Sequence, residues 1–345
     1  MSRLPTSLPV PEFAPLRGGP VLRWGVIAPG NIARQFATGL RRHTDQRITA
    51  VASRSPERAA AFADEFAVDR VLASYEALVA DREVDIVYVA SPHTQHREHA
   101  LLAIAAGKHV LVEKPIGISA AEAREITDAA HAAGVYLLEA MWTRFQPKTV
   151  LIHRLIVDDA IGAVREVEAS LGFAFGADAS HRILDPALGG GALLDLGVYP
   201  IAFILAILGD AEAGEIRGRL ASTGVDAHAV LMGQHADGAF SRMSTSLDAR
   251  NSNRATIVGE RARIEVPSAF HEVNEFDFVV DDDRLRWVDP TGVAGSDALA
   301  FQAVAAAADI AAGRTESSLH PHAASIAVLE VIDSARATLG AVSLG

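Results

Sequence analysis

The sequence predicts an α/β protein with two domains: first a doubly wound parallel sheet, then an α+β domain with a large open, mainly antiparallel sheet. Three observations carry this prediction. At 345 residues, half of them apolar, the chain is long enough for two cores. Up to residue 142, short apolar strands alternate with helical segments, as they do in parallel sheets. Beyond it, most segments alternate apolar and polar residues, as in a sheet with one exposed face.

Composition narrows the classes of function. The chain has no cysteine, which excludes disulfides, thiolate metal sites and cysteine nucleophiles. Its net charge of −12 argues against a nucleic-acid partner. No apolar run is expected to reach membrane-spanning length, and residues 1–20 show no signal pattern. We therefore expect a cytoplasmic protein with no membrane partner.

Residues 1–20 are predicted to form an extended arm, because prolines are frequent there and such a segment builds no core. Two interpretations stay open: a frayed terminus, or an arm that lies on its own or on a partner subunit. After the arm, the predicted domains are 21–142 and 143–345.

The stretch Val21–Ala33 predicts a strand, a tight turn and a helix that begins at about Asn31. A helix N-terminus that emerges from such a turn suits a pyrophosphate, and Gly30 lets the backbone approach it. Ala33 is small enough for close helix–strand packing, as in the fingerprint G-x-G-x-x-G/A. Ala28 stands where that fingerprint has its first glycine. The other interpretation is a glycine turn of any βα unit.

The next strand, Ile48–Ala52, ends in Ser53-Arg54 with no carboxylate. NAD enzymes usually place Asp or Glu there for the ribose, whereas a small hydroxyl residue and an arginine suit the 2′-phosphate of NADP. Arg58, one helical turn on, adds a second positive charge. The sequence therefore predicts NADP, with a solvated basic loop as the alternative.

Polar residues also follow the later strands of this domain. Ser91 follows the strand Ile86–Ala90, and Lys114 is the residue after the strand His109–Glu113. Ligands of doubly wound sheets bind beyond the carboxyl ends of the strands. We expect the Lys114 ammonium to face that crevice, although an ordinary surface lysine at a strand end stays open.

In the second domain, Gly189-Gly-Gly191 leads into an apolar helix to Leu208. Asp195 and Tyr199 stand four residues apart on it, hence on one face. A polar pair on a buried face suggests a functional role, although a structural pair stays open.

Four motifs together resemble the glucose-fructose oxidoreductase, inositol dehydrogenase and MocA family. They are Trp24-Gly-Val-Ile-Ala-Pro-Gly-Asn-Ile-Ala33, Ser91-Pro-His-Thr-Gln-His96, Glu113-Lys-Pro115 and Gly189-Gly-Gly-Ala-Leu-Leu-Asp-Leu-Gly-Val-Tyr199. Within the family, Glu139-Ala-Met-Trp-Thr-Arg-Phe145 together with Asp195 and Tyr199 is similar to the branch of dihydrodiol dehydrogenases and NADP-dependent D-xylose dehydrogenases.

The resemblance implies a Rossmann domain that binds NADP, then a domain that binds the substrate and forms homodimer or homotetramer contacts through its sheet. It implies that Lys114 and Tyr199 are catalytic, with Asp195 in the active site, and that Pro115 follows a cis bond. Substrate contacts are expected from Trp142, Arg144, Phe173, Asp195 and Tyr199. Cofactor contacts are expected from Ala28, Gly30, Asn31, Ile32, Ser53, Arg54, Arg58, Ser91, His93, His96, Glu113 and Lys114.

The function expected on this basis is hydride transfer between the nicotinamide and a hydroxyl or carbonyl carbon of a sugar, a sugar-like polyol or a trans-dihydrodiol. A free tyrosine titrates near ~10, and a nearby ammonium lowers that value. Tyr199, helped by Lys114, or Lys114 itself is therefore the proton-transfer group. The alternatives are a reductase of a dicarbonyl sugar such as 1,5-anhydrofructose, and a non-catalytic NADP-binding regulator.

The spacing of His93, His96 and His99 also invites a zinc interpretation. No convergent carboxylate is identifiable in the sequence, and the family resembled here uses no metal. We therefore predict no metal site.

Overall fold

The computed structural model describes residues 4–176, 181–272 and 275–344. It divides into two compact units. The parallel-sheet unit contains Phe13–Phe145 and Gly295–Ile326. The mixed-sheet unit contains residues 4–12, Gln146–Ala294 and 327–344. The parallel-sheet unit thus includes a segment from far along the chain, for which the sequence had no signal.

The parallel-sheet unit has six strands. They are β1 (Arg23–Ile27), β2 (Arg47–Ala52), β3 (Arg70–Leu72), β4 (Ile86–Val89), β5 (His109–Val112) and β6 (Leu137–Glu139). All neighbouring pairs are parallel, in the order β3-β2-β1-β4-β5-β6. The order reverses between β1 and β4, and a crevice that binds ligands forms at such a switch point. The predicted doubly wound sheet is confirmed.

The eight strands of the mixed-sheet unit confirm the large, mainly antiparallel sheet. They are β7 (Val164–Gly172), β8 (Ala211–Leu220), β9 (Asp226–His235), β10 (Phe240–Ser246), β11 (Ala255–Gly259), β12 (Arg263–Val266), β13 (Glu275–Val280) and β14 (Asp283–Val288). Their order is β14-β13-β12-β11-β7-β10-β9-β8. Only the pair of β7 and β10 is parallel among these described strands.

The described residues also form α-helices, some of which begin at a capping serine or end at a glycine. They are α1 (Asn31–His43), α2 (Pro56–Phe66), α3 (Tyr75–Val79), α4 (His96–Ala105), α5 (Ala120–Ala133), α6 (Pro147–Val157), α7 (Val198–Leu208), α8 (Leu299–Ala311) and α9 (His322–Leu339). For example, the Ser119 hydroxyl accepts a hydrogen bond from Glu122 N at the start of α5, and Gly134 ends it with a φ of 65°.

The second half of the N-terminal arm lies on its own chain. Arg17 donates to Asp45 at 3.0 Å, and Gly18 N donates to the same carboxylate at 2.8 Å. The rings of Phe13 and Phe301 meet edge to face with centroids 5.5 Å apart. For residues 13–20, these contacts favour an arm that lies on its own subunit over a frayed terminus.

One stretch, Pro186–Leu208, is long and apolar enough to cross a membrane, which corrects the expectation that no run reaches that length. Of its most apolar 18-residue part, 72% is buried inside the protein, as in the core helix of many globular proteins. The stretch is therefore only weak evidence for a membrane segment.

The N-terminal end of this stretch is held by a buried carboxylate. Asp226 accepts from Leu193 N at 2.6 Å and from Arg336 Nη1 at 2.9 Å. Gly191, with a φ of 126°, leaves room for this contact, because a Cβ there would lie 2.5 Å from Asp226 Oδ1. Asp226 is fully buried, so its charge depends on these partners.

We predict that Asp226→Ala lowers the free energy of unfolding by about 3–5 kcal/mol, because it leaves the buried Arg336 guanidinium without its counter-charge. Urea denaturation measures the loss. The matched control is Glu260→Ala, which removes the exposed pair with Arg165 and should cost at most about 1 kcal/mol. Equal effects of the two substitutions would contradict the role of Asp226.

Candidate active site

The turn after β1 leaves a helix N-terminus open. The helix α1 follows Gly30, which provides no side-chain cap, and its first turn has no acidic residue. By contrast, Ser55 and Ser119 cap α2 and α5. An uncapped N-terminus with positive dipole character fits an anion such as a pyrophosphate. The residues of this turn therefore fit a dinucleotide cofactor.

Ala28 takes a backbone conformation that favours glycine. Its φ is 61°, in the left-handed region. Its N–H donates to Ala52 O at 3.1 Å, and its carbonyl accepts from Gly30 N at 2.7 Å. Ala28 thus makes the same kind of turn as the first glycine of the fingerprint, at a cost of about 1–2 kcal/mol in backbone strain.

The turn after β2 presents Ser53, Arg54 and Arg58. The Ser53 hydroxyl accepts from Ser55 N at 3.1 Å, which fixes the turn, and both arginines are exposed. Burial lowers the pKa of His99, and the charge of Arg54 lowers it further. Arg54 therefore lies within electrostatic reach of α4, the helix after β4.

Ser91 and His96 connect the loop after β4 to the turn after β5. The Ser91 hydroxyl lies 2.9 Å from His99 Nδ1. The two ring nitrogens of His96 lie 2.7 Å from Pro115 O and 2.8 Å from Ser91 O. Burial lowers the pKa of His96 to about 4, so the ring is neutral at neutral pH and donates to one of these carbonyls.

The other predicted residue of this loop, His93, packs its ring 5.7 Å from that of His96. In the described part of the chain, no group of three or more His, Asp or Glu side chains is arranged to hold a metal ion.

Lys114 is half-buried at the end of β5 and precedes a cis peptide bond to Pro115, as the resemblance implied. The preceding carboxyl group, Glu113, is buried. It accepts from Tyr88 Oη at 2.5 Å and from Lys114 N at 3.3 Å. Burial raises the pKa of Glu113 to about 7.

A second buried carboxylate, Glu139 at the end of β6, holds the far side of this turn. It accepts from Ile116 N at 2.9 Å and pairs with His320 Nε2 at 2.8 Å. Burial alone would raise the pKa of Glu139, but the hydrogen bond and charge of His320 lower it below its ordinary value. No sequence pattern linked His320 to this turn.

Trp142 and Arg144 share a short 3-10 turn after β6. Trp142 is buried. The Arg144 guanidinium donates twice to Leu319 O, at 3.0 and 3.1 Å, and burial lowers its pKa to about 10. Arg144 thus anchors the returning C-terminal segment, and its contact with substrate stays a prediction.

In the mixed-sheet unit, a π-helical turn, Leu193–Gly197, precedes α7 and carries Asp195. Asp195 is buried and accepts from Arg182 Nη2 at 3.2 Å. Tyr199, the second residue of α7, is also buried apart from 8% of its surface. The pair thus lies along one helix, as predicted.

Phe173, at the end of β7, shares a ring neighbour with Tyr199. The ring of His271 lies 6.3 Å from Phe173 and 5.5 Å from Tyr199, centroid to centroid. The sequence did not single out His271 or Arg182, because His271 lies in a turn and Arg182 in a three-residue 3-10 helix, and both are too short for a periodic pattern.

We predict that Glu113 makes the protein less stable as pH rises. Its folded pKa of about 7 lies above its ordinary value of 4.5, so the native state holds its proton to a higher pH than the unfolded chain does. Below pH 4.5, Glu113 contributes up to about 3 kcal/mol to the free energy of unfolding, and this contribution is lost as pH rises through 7.

The measurement is urea unfolding of the wild type and of Glu113→Gln at several pH values between 5 and 8. The variant keeps an acceptor for Tyr88 but cannot ionise at this position. Its free energy of unfolding should therefore exceed that of the wild type as pH rises. Glu215→Gln, on an exposed part of β8, is the control. Parallel pH profiles for the wild type and Glu113→Gln would contradict a raised pKa.

Comparison with known proteins agrees with this architecture. Residues 22–140 match the family model described as oxidoreductase family, NAD-binding Rossmann fold, and residues 149–265 match the GFO/IDH/MocA C-terminal domain. The chain is 33% identical to trans-1,2-dihydrobenzene-1,2-diol dehydrogenase of Mus musculus over 332 residues, which covers 92% of this chain and 97% of the relative.

Two solved structures show the same fold. A levoglucosan dehydrogenase in complex with NADH and L-sorbose superposes with a TM-score of 0.83 at 20% identity, covering 93% of this chain and 97% of that chain. A 3-ketoreductase from Actinomadura kijaniata in complex with NADP and TDP-benzene superposes with a TM-score of 0.78 at 25% identity, covering 94% of this chain and 97% of that chain. The chain therefore belongs to the glucose-fructose oxidoreductase, inositol dehydrogenase and MocA family, and it is an NAD(P)-binding oxidoreductase that acts on CH–OH groups.

Proposed function

We propose that the chain is an NADP-dependent dehydrogenase or reductase that acts on a sugar, a sugar-like polyol or a trans-dihydrodiol. The observation that carries the proposal is that Lys114 stands at the same sheet edge as the open N-terminus of α1. A proton-transfer group at the cofactor edge is what a dehydrogenase needs and a passive binder does not.

The residues around α1 would hold the cofactor. The backbone N–H groups of Asn31 and Ile32 face an incoming pyrophosphate, and Gly30 leaves the approach open, since a Cβ there would meet only Ala28 O at 3.9 Å. Ser53 and Arg54 would bind the 2′-phosphate, with Arg58, Ser91, His93, His96 and Glu113 contributing as predicted. When bound, the nicotinamide accepts hydride from an alcohol carbon or donates hydride to a carbonyl carbon.

The chain's own chemistry is proton transfer. As an alcohol is oxidised, its hydroxyl proton passes to the Tyr199 oxygen in its phenolate form or to the Lys114 nitrogen in its neutral amine form, and the same group, now protonated, returns it during reduction. The Asp195 carboxylate would accept a hydrogen bond from a neighbouring hydroxyl of a polyol or diol. Phe173 of the mixed-sheet unit and Trp142 of the parallel-sheet unit are each proposed as an apolar contact of the substrate, as the resemblance implied.

The relatives favour hydroxylated substrates. The Mus musculus relative is named for a trans-dihydrodiol, which is why a diol stays beside a sugar in the proposal. We also propose a cytoplasmic homodimer or homotetramer formed through the second sheet. Met232 of β9 and Phe240 of β10 support it, because they share one face of that sheet and are 50% and 56% exposed.

We predict that Arg54 selects the cofactor. Arg54→Ala removes a charge-assisted contact to the 2′-phosphate, which is worth about 1.5–3 kcal/mol and raises the Kd for NADP about 10- to 150-fold. The Kd for NAD should change less than about threefold, because that cofactor has no such phosphate. Fluorescence titration measures both. Arg47→Ala, an exposed arginine at the opposite end of β2, is the control.

If both Kd values change together in Arg54→Ala, or neither changes, Arg54 does not select between the cofactors.

The activity itself is tested with the purified protein, NADP⁺ or NAD⁺, and a panel of aldoses, polyols and a trans-dihydrodiol. Turnover with NADP⁺ on one of these substrates is expected, followed by the absorbance of the reduced nicotinamide. Lys114→Ala and Tyr199→Phe should each lower kcat at least about 100-fold. The Kd for NADP should stay near normal in Tyr199→Phe.

Near-normal turnover in Lys114→Ala would refute the proton-transfer role of Lys114. Tight NADP binding without turnover in either direction would instead favour a non-catalytic regulator. Turnover only in the direction of reduction, on a dicarbonyl sugar, would identify the reductase alternative.

A further inference from the structure

A short turn in the mixed-sheet unit, Ala269–Glu272, contains one strained residue and is fixed by backbone hydrogen bonds. Ala269 has a φ of 42°, in the left-handed region, which costs an alanine about 1–2 kcal/mol. Phe270 N donates to Asn253 O at 2.9 Å, and Glu272 N donates back to Ala269 O at 2.7 Å. The strain and the hydrogen bonds together define one conformation of this turn.

The start of helix α6 adds two buried polar side chains to the same turn, one from the preceding residue Gln146 and one from Lys148. Gln146 Nε2 donates to His271 O at 2.8 Å, and Lys148 Nζ donates to Phe270 O. Both side chains are almost fully buried, and burial lowers the pKa of Lys148 to about 7. Burying an amide and an amine is costly, so their hydrogen bonds to two successive carbonyls fix the backbone of the turn strongly.

The side chain that this turn directs at Tyr199 is His271. Its ring lies 5.5 Å from the Tyr199 ring, with 39° between the ring planes, and only 7% of His271 is exposed. His271 Nε2 also lies 3.5 Å from Glu272 Oε1. The hydrogen bond with His271 lowers the pKa of Glu272. The imidazole thus contacts both a carboxylate and the phenol ring.

We propose that His271 is a positioning residue for Tyr199: the anchored imidazole fixes the plane of the phenol ring and thereby the direction of its hydroxyl. The inference rests on the proposed function, in which Tyr199 takes or gives a proton. Proton transfer requires a donor and an acceptor in a narrow range of distances and angles, so a loose phenol ring lowers kcat. Cofactor binding does not depend on His271.

The contact is tested without any substrate. The chain has four tyrosines, so carbon-13 labelling of the tyrosine rings gives few resonances, and those lost in Tyr199→Phe belong to Tyr199. In His271→Ala we expect the Tyr199 resonances to shift and broaden while the other tyrosines stay unchanged. His271→Phe, which keeps a ring against the phenol, should give a single sharp set. Tyr199 resonances that are unchanged in His271→Ala would overturn the proposal.

The functional role is tested by a double-mutant cycle with full-length enzyme and the best substrate found. His271→Ala should lower kcat about tenfold with an unchanged Kd for NADP, and His271→Phe should recover kcat to within about threefold of the wild type. In the Tyr199→Phe background, His271→Ala should have almost no further effect, because the group that it positions is gone.

The two failures are distinguishable. Equal losses from His271→Ala in both backgrounds would overturn the role of His271 and leave that of Tyr199 intact. An unchanged kcat in Tyr199→Phe would refute the proposed role of Tyr199 itself, and with it the need for a positioning residue. A loss of folding in His271→Ala appears in the urea midpoint, and the same cycle is then read with His271→Gln.

Discussion

The parallel-sheet unit depends on the turn between β5 and α5, and this turn depends on buried carboxylates. Glu139 accepts from Ile116 N, directly beyond the Lys114–Pro115 bond, and pairs with His320. A buried carboxylate is stable only with such partners, so the turn and the His320 segment must form together. The position of Lys114 is therefore set by a residue more than 200 positions away in sequence.

The mixed-sheet unit uses the same physical solution. Asp226 accepts from Leu193 N and pairs with Arg336, and this holds the start of the helical stretch that carries Asp195 and Tyr199. In both units, a carboxylate shared between a backbone N–H and a cationic or imidazole side chain fixes a turn beside a proposed catalytic residue. Each contact binds a local turn to a distant segment, so each site is rigid only when its unit is folded.

The sequence predicted most of the architecture, because hydrophobic period and caps are local signals. The helix predicted to begin at about Asn31 does begin there as α1, and the predicted apolar helix ends at Leu208 as α7. The sequence did not predict β3, which has only three residues, or the charged edge strand β14. Motifs identified Lys114 and the helix at Asn31, but His271 and His320 act through tertiary contacts from irregular segments. A periodic pattern predicts neither such contacts nor that α8 belongs to the parallel-sheet unit.

The burial of Glu113 affects the electrostatic potential at the sheet edge where β1, β4 and β5 end. The chain carries a net charge of −12, so a phosphate-bearing cofactor is repelled by the molecule as a whole. Binding then requires local positive potential, which in the proposed site would come from the open N-terminus of α1 together with Arg54 and Lys114. A fully ionised Glu113 beside Lys114 would cancel part of it. Because burial raises the pKa of Glu113 to about 7, this carboxyl is largely neutral just below neutral pH while still holding the Lys114 N–H. The same burial that orders the turn thus also reduces the negative charge beside the lysine.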